Sequence, residues 1–145
     1  MSIDKFLSKE DESQIVQAIK AAEHRTSGEI RVHIESVCKG EVLDRAAWLF
    51  KSLKMHKTAL RNGILIYLST TDRKFAIIGD AGINAVVPEG FWNDVKDLMI
   101  GNFSKGDLSK GFVLGIARVG EKLKEFFPYQ EDDVNELPDE ISYGK

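Results

Sequence analysis

Two hydrophobic spacings alternate along the chain, and each marks a kind of element. Ile15, Ala18, Ile19 and Ala22 recur at helical spacing, which predicts an amphipathic helix over 9–25. Ser8 suits its N-cap, and Glu10, Asp11 and Glu12 fill a first turn that favours carboxylates. Ser27-Gly28 breaks the helix. Glu29-Ile30-Arg31-Val32-His33-Ile34-Glu35-Ser36 then alternates strictly between polar and apolar. Period two predicts a strand over 29–36 with one face in the core and the other at least partly wet. Helical spacing returns over 41–57 through Val42, Ala46, Leu49, Phe50 and Leu53. Ile64–Leu68 is continuously apolar, as expected of a central strand covered on both faces, here read as 63–69. Thr70-Thr71-Asp72-Arg73 has turn character, and Lys74–Ile78 resumes as a strand.

Two further helices follow Gly79-Asp80-Ala81-Gly82. One carries Phe91, Trp92, Val95, Leu98 and Met99; the other carries Leu108, Phe112, Ile116, Val119, Leu123 and Phe126, and Pro128 stops it. Trp48, Trp92 and Phe91 fall on apolar helix faces and are expected in the core. The order is α-β-α-β-β-α-α, an α/β fold read as a three-layer α/β/α sandwich with a small mixed β-sheet. Strand 29–36, helix 41–57 and strand 63–69 make a right-handed parallel βαβ unit, and the following strand pairs back as a hairpin.

Charge divides the chain further. Residues 130–145 hold six acids against Lys145, a sum of −5, so residues 1–129 carry +2 of the total −3. A single domain over 1–129 followed by an acidic, solvated tail over 130–145 is the expected organisation. Within that tail, Leu137-Pro138-Asp139-Glu140-Ile141 has the make-up of a docking peptide. Without a basic body, the electrostatic footprint of a nucleic-acid binder is missing. No apolar run approaches the length of a membrane span. No secretory signal is evident in Met1–Glu10, and the lone Cys38 fits a reducing compartment, so the chain reads as cytoplasmic. Cys38 is expected to be a structural thiol.

The topology sorts polar residues onto two sheet edges. The starts of the first two strands and the end of the third bring Glu29, Asn62 and Asp80 to one edge. There Asp80-Ala-Gly82-Ile-Asn84, with Glu89 beyond it, alternates oxygen-bearing side chains along a glycine-containing loop. Such a set suits a hard cation such as calcium. It equally suits a strand-end turn in which Asn84 caps the next helix. The opposite edge gathers Ser36, Ser69 and Thr70-Thr71-Asp72-Arg73. A phosphatase would use Asp72 as nucleophile or ligand and Arg73 as phosphate clamp, whereas a hairpin turn would spend them on its own backbone. His24, His33 and His56 lie in three different elements without zinc-ligand spacing.

Arg61-Asn62-Gly63-Ile64-Leu65-Ile66, Asp72-Arg73-Lys74 and Ile77-Ile78-Gly79-Asp80-Ala81-Gly82-Ile83 together resemble the TPM domain. The likeness runs from about Leu7 to Phe127 and includes Ser27-Gly28-Glu29-Ile30 and Phe103–Gly111. It implies an α/β sandwich with acidic residues near one sheet edge, calcium binding, and the acid phosphatase activity associated with plant members. It also implies a bacterial type of the family. Asn62 and Asn84 stand where the family usually has acids, Glu89 where an Asp is common, while Asp80 and Asp107 remain acidic. The metal set so implied is Asp80, Glu89, Asn62, Asn84, Glu29 and Asp107, for Ca2+ with Mg2+ as the alternative. The leading expectation is therefore a divalent-cation binding module. A metal-assisted phosphomonoesterase is the second, and a metal-independent domain that binds a protein partner is the third.

Overall fold

The computed structural model describes residues 7–130 and 136–144. Helix α1 spans Lys9–Glu23, and Ser8 caps it by accepting a 3.0 Å hydrogen bond from the Asp11 amide. Strand β1 (Glu29–Glu35) leads through α2 (Val42–Ser52) and a 3-10 turn (Met55–Lys57) to β2 (Gly63–Ser69). Strand β3 (Lys74–Gly79), the single-turn α3 (Ala81–Asn84), α4 (Asn93–Ser104) and α5 (Leu108–Leu123) follow. A final short strand, β4, spans Ser142–Tyr143.

The sheet order is β3-β2-β1-β4. β1 and β2 are parallel with Glu29 opposite Gly63 and Glu35 opposite Ser69, while β2 and β3 are antiparallel. This is the expected βαβ unit with its hairpin. Two cores sandwich the sheet. On one face Ile30, Val32, Ile34, Ile64 and Ile66 pack with residues of α1, α4 and α5. On the other, Leu65, Tyr67 and Ala76 pack with Ala46, Leu49 and Phe50 of α2. The result is a mixed α/β fold with a four-strand sheet and five helices. No helix among the described residues is long and apolar enough to cross a membrane.

Several expectations change. The helix predicted over 41–57 stops at Ser52, because Lys54 adopts a left-handed conformation (φ 60°) that turns the chain into Met55–Lys57. Trp48, expected in the core, is 59% exposed. The inward stripe of α2 is already filled by Ala46, Leu49 and Phe50, and the indole lies beneath the Arg45 guanidinium, 4.9 Å from its centroid. The acidic end differs most. Residues 131–135 lie outside the described residues, but 136–144 do not behave as a solvated tail. Leu137 is buried in the α2-side core, and β4 pairs with the outer edge of β1 in parallel, Ser142 opposite His33 and Tyr143 opposite Ile34.

That last strand changes the character of β1. Its polar face, expected to be at least partly wet, is mostly buried: Glu29, His33 and Glu35 are all 5% exposed or less, and only Arg31 stays partly open. A parallel strand flanked on both sides keeps little solvent side.

Candidate functional site

The first sheet edge is organised around Asp80, the residue that follows β3. Its backbone amide donates to Gly63 O at 2.9 Å, which fixes it beside the start of β2. Its carboxylate is almost wholly buried and accepts from Arg61 Nε to Oδ2 and from Arg61 Nη2 to Oδ1, both at 2.8 Å. The Ala81 amide adds a third bond at 2.7 Å. Burial pushes this carboxyl up, but the Arg61 bonds, the Ala81 amide and the nearby Arg61 and His56 charges outweigh it and hold it below the usual range. Arg61 itself sits at φ 52°, and its side chain is half exposed. Its carbonyl accepts from the Gly82 amide at 2.9 Å. The backbone approach there is close enough that a Cβ on Gly82 would lie 2.3 Å from Leu60 O. Glycine is required at this position.

Asn62 is buried next to this pair. Its amide nitrogen donates to Ser27 O at 2.7 Å, and its backbone amide donates to Thr58 Oγ1 at 3.1 Å. Its Oδ1 is buried and has no hydrogen-bond partner among the described residues. Glu29, whose amide donates to Asn62 O at 3.1 Å, turns its own carboxyl toward the C-terminal segment, where Oε1 accepts from the Leu137 amide at 2.7 Å. Burial, reinforced by the neighbouring Glu136, pushes this carboxyl up to about 7. Glu23 at the end of α1 goes further, to about 9, through burial and its hydrogen-bonded neighbour Asp139.

Glu29, Asn62 and Asp80 therefore meet at one edge, as the topology requires. Asn84 is adjacent and exposed, its side-chain amide donating to Gly79 O at 3.0 Å. Glu89 is exposed in the connection to α4 and, with Asn84, Trp92 and Lys96, lines an open cavity of about 420 Å³. Asp107 is elsewhere. It caps α5 by accepting from the Lys110 amide at 3.1 Å, one helix length from the Leu123–Phe127 end that meets Thr26 and Ser27. Sixteen residues of helix place those ends about 24 Å apart. Among the described residues no three His, Cys, Asp or Glu side chains are grouped as a metal site.

At the second edge both Asp72 oxygens are engaged. Oδ1 accepts from the Ser69 hydroxyl and Oδ2 from the Cys38 amide at 3.0 Å, while Ser69 Oγ also accepts from the Lys74 amide at 3.1 Å. The Ser69 bond is the main cause of a lowered Asp72 pKa. Arg73 is exposed and left-handed (φ 54°). These residues tie the β2–β3 hairpin to the loop after β1. Cys38 is buried there, as expected of a structural thiol.

A densely bonded buried carboxylate, Glu35, ends β1 beside this second edge, opposite Ser69. Glu35, 1% exposed, accepts from Arg45 Nε (2.9 Å) and Nη2 (2.7 Å), from the Tyr67 hydroxyl, and meets His33 Nε2 at 3.2 Å. Burial alone would push this carboxyl up; the Arg45, Tyr67 and His33 bonds override it and bring it down to about 2. His33 is shifted down, chiefly by burial, so its ring is neutral at pH 7. With Glu35 ionised, His33 Nε2 carries the proton, and Nδ1 accepts from Ser142 Oγ at 2.9 Å. The signal was present in the sequence as Glu29-x-Arg31-x-His33-x-Glu35. Its burial was not, because the fourth strand that covers it lies over a hundred residues away.

The order of elements agrees with what the comparisons show. The family model for the TPM domain matches residues 3–122. The chain belongs to the TPM-domain family. Among solved structures, this TPM domain is similar to the BA42 protein of the psychrophilic bacterium Bizionia argentinensis, determined by NMR. The two share 45% identity with a TM-score of 0.93, covering 99% of each chain. It is also similar to the N-terminal domain of a P. gingivalis protein (20% identity, TM-score 0.71, covering 87% of this chain and 82% of that one). The N-terminal domain of the Corynebacterium glutamicum protein cg2496 gives 15% identity and a TM-score of 0.60, covering 86% and 78%. The last two likenesses concern the fold alone. No curated protein matches the chain.

Proposed function

We propose that this TPM domain is a divalent-cation binding module, calcium before magnesium, with its site at the edge where β1 and β2 begin and β3 ends. Asp80 is the charged ligand; Asn62 and Asn84 supply neutral oxygens, and Glu29 borders the site. One observation carries the reading: a buried, ionised carboxylate whose counter-charge is a guanidinium half in solvent. The edge needs a positive charge, and the side chain that meets the need can swing away. The unpartnered Asn62 Oδ1 adds an oxygen that lacks a positive partner. One carboxylate among neutral oxygens belongs at the weak end of calcium sites, with Kd about 10⁻⁴–10⁻³ M. The setting on this reading is cytoplasmic, with a protein partner responding to the ordered 79–90 loop. Hydrolysis through Asp72 and Arg73 has less support, since both Asp72 oxygens already serve the hairpin.

The test is a calcium titration of the isotope-labelled full chain, followed by backbone amide shifts. Saturable movement centred on residues 61–63 and 79–85 is expected, and it should disappear in Asp80→Asn. Shifts confined to the acidic residues 131–140, or unaltered by Asp80→Asn, would overturn the assignment.

A further inference from the structure

The segment 136–144 is read side chain by side chain along the outer edge of β1. The Leu137 amide donates to Glu29 Oε1 at 2.7 Å, and its side chain enters the α2-side core beside Phe50 and Met55. The Ala59 amide donates to the Glu136 carboxylate at 3.3 Å. Glu140 lies within charge range of Arg31. Ile141 and Tyr143 pack on the opposite core, whereas Ser142 bonds to His33 Nδ1 at 2.9 Å. The Gly144 amide donates to Ile34 O at 2.9 Å, and a Cβ at Gly144 would come 2.3 Å from Glu35 Oε1 and 3.0 Å from His33 Nε2. The groove thus selects an acid-Leu pair, a second acid, a serine and an obligatory glycine. Only two residue pairs form a strand ladder, so most of the recognition comes from side chains. The segment also lies beyond residue 122, where the family match ends.

We propose that the β1 edge is a strand-addition site, that the chain's own residues 136–144 are its resident ligand, and that its occupant in trans is the same segment of a second copy. The groups that read the segment belong to β1, to α2 and the loops beside them, and to the end of α1, where Glu23 is hydrogen-bonded to Asp139. None requires the segment to arrive from its own chain. An extended strand added to a sheet edge, with alternate side chains entering pockets, is an established mode of peptide recognition. Tethering favours the resident segment through effective concentration and not through different contacts. An incoming copy therefore competes only when the resident is displaced or the protein is concentrated.

Gly144→Val in the full chain tests this directly. The valine cannot seat against Glu35, so amide shifts of residues 29–35 and 136–144 should change while those of α4 and α5 stay put. A synthetic peptide with the sequence of residues 136–145 should then restore the native shifts of residues 29–35. It should bind the variant about 100-fold or more tighter than the wild type, whose groove is filled. Wild-type protein at millimolar concentration should form a dimer in sedimentation analysis, and Gly144→Val should not. Leu137→Ser serves as a second displacing variant if the first fails to fold. Failure of the peptide to bind either variant, or binding that leaves residues 29–35 unmoved, would overturn the site. Peptide binding without any wild-type dimer would overturn the second copy as its occupant.

Discussion

Arg61 holds both oxygens of Asp80, at 2.8 Å each, from a side chain half in solvent to a carboxylate almost wholly out of it. The pair is therefore unequal: the anion is fixed by burial and by the Ala81 amide, and the cation is the part that can move. Arg61→Ala should leave the carboxylate buried without a counter-charge and lower the thermal unfolding midpoint. Millimolar calcium should recover more of that loss in the variant than it adds to the wild type, because it fills the vacated position. Differential scanning calorimetry with and without calcium measures both.

The buried network around Glu35 should be the costliest polar group to break. Arg45→Met removes the two guanidinium bonds and leaves an ionised carboxylate inside. Uncompensated buried charge of this kind costs about 3–5 kcal/mol. The same change takes the guanidinium off the Trp48 ring, so indole fluorescence should shift with it. Urea denaturation gives the cost. A loss under 1 kcal/mol would mean that water reaches Glu35.

Stability should have an acid-shifted optimum. Glu29 and Glu23 have folded-state pKa values raised from the model-compound 4.5 to about 7 and about 9. The folded chain thus holds protons that the unfolded chain has released. Their contribution is complete below about pH 4.5 and declines as pH rises, through about 7 for Glu29 and about 9 for Glu23. Glu35 acts in the opposite sense: its value falls from 4.5 to about 2, so its contribution is present above 4.5 and lost as pH drops toward 2. Denaturation midpoints should therefore peak near pH 4.5–5 and fall on both sides. Glu29→Gln keeps an acceptor for the Leu137 amide but cannot ionise, and it should flatten the decline between pH 5 and 8.

Gly82→Ala should be more damaging than an ordinary loop substitution. The added methyl would meet the carbonyls of Leu60 and Arg61 at 2.3 and 2.7 Å, and backbone atoms cannot yield as a flexible side chain can. The expected result is a lower unfolding midpoint together with loss of the Arg61–Asp80 contact. The Asp80 carboxyl pKa followed by NMR should rise in the variant, since the Arg61 bonds are the main groups holding it down.

The layered fold was legible because its signals are local. Ser8 before three acids, the apolar run Ile64–Leu68 and the helical stripe of α5 each specify their element without help from distant residues. Chain direction then placed Glu29, Asn62 and Asp80 at one edge. What remained hidden depends on contacts distant in sequence. Residues 136–144 are acid-rich and contain Pro138, a composition that reads as solvated until Leu137 and the Glu29 acceptor are seen together. The burial of His33 and Glu35 follows from that same strand. Arg61 carried no local mark of its role, since its carboxylate partner is 19 residues away across the sheet. Asp107 shared the acidity expected of a ligand, but helix capping had already claimed it.

The most direct measurement is calcium binding by titration calorimetry on three full-length proteins: wild type, Asp80→Asn and Arg61→Ala. The wild type should bind weakly and saturably, with Kd about 10⁻⁴–10⁻³ M. Asp80→Asn should not bind, and Arg61→Ala, in which the internal competitor is gone, should bind more tightly. Binding that survives Asp80→Asn, or that weakens in Arg61→Ala, would contradict a cation site at Asp80.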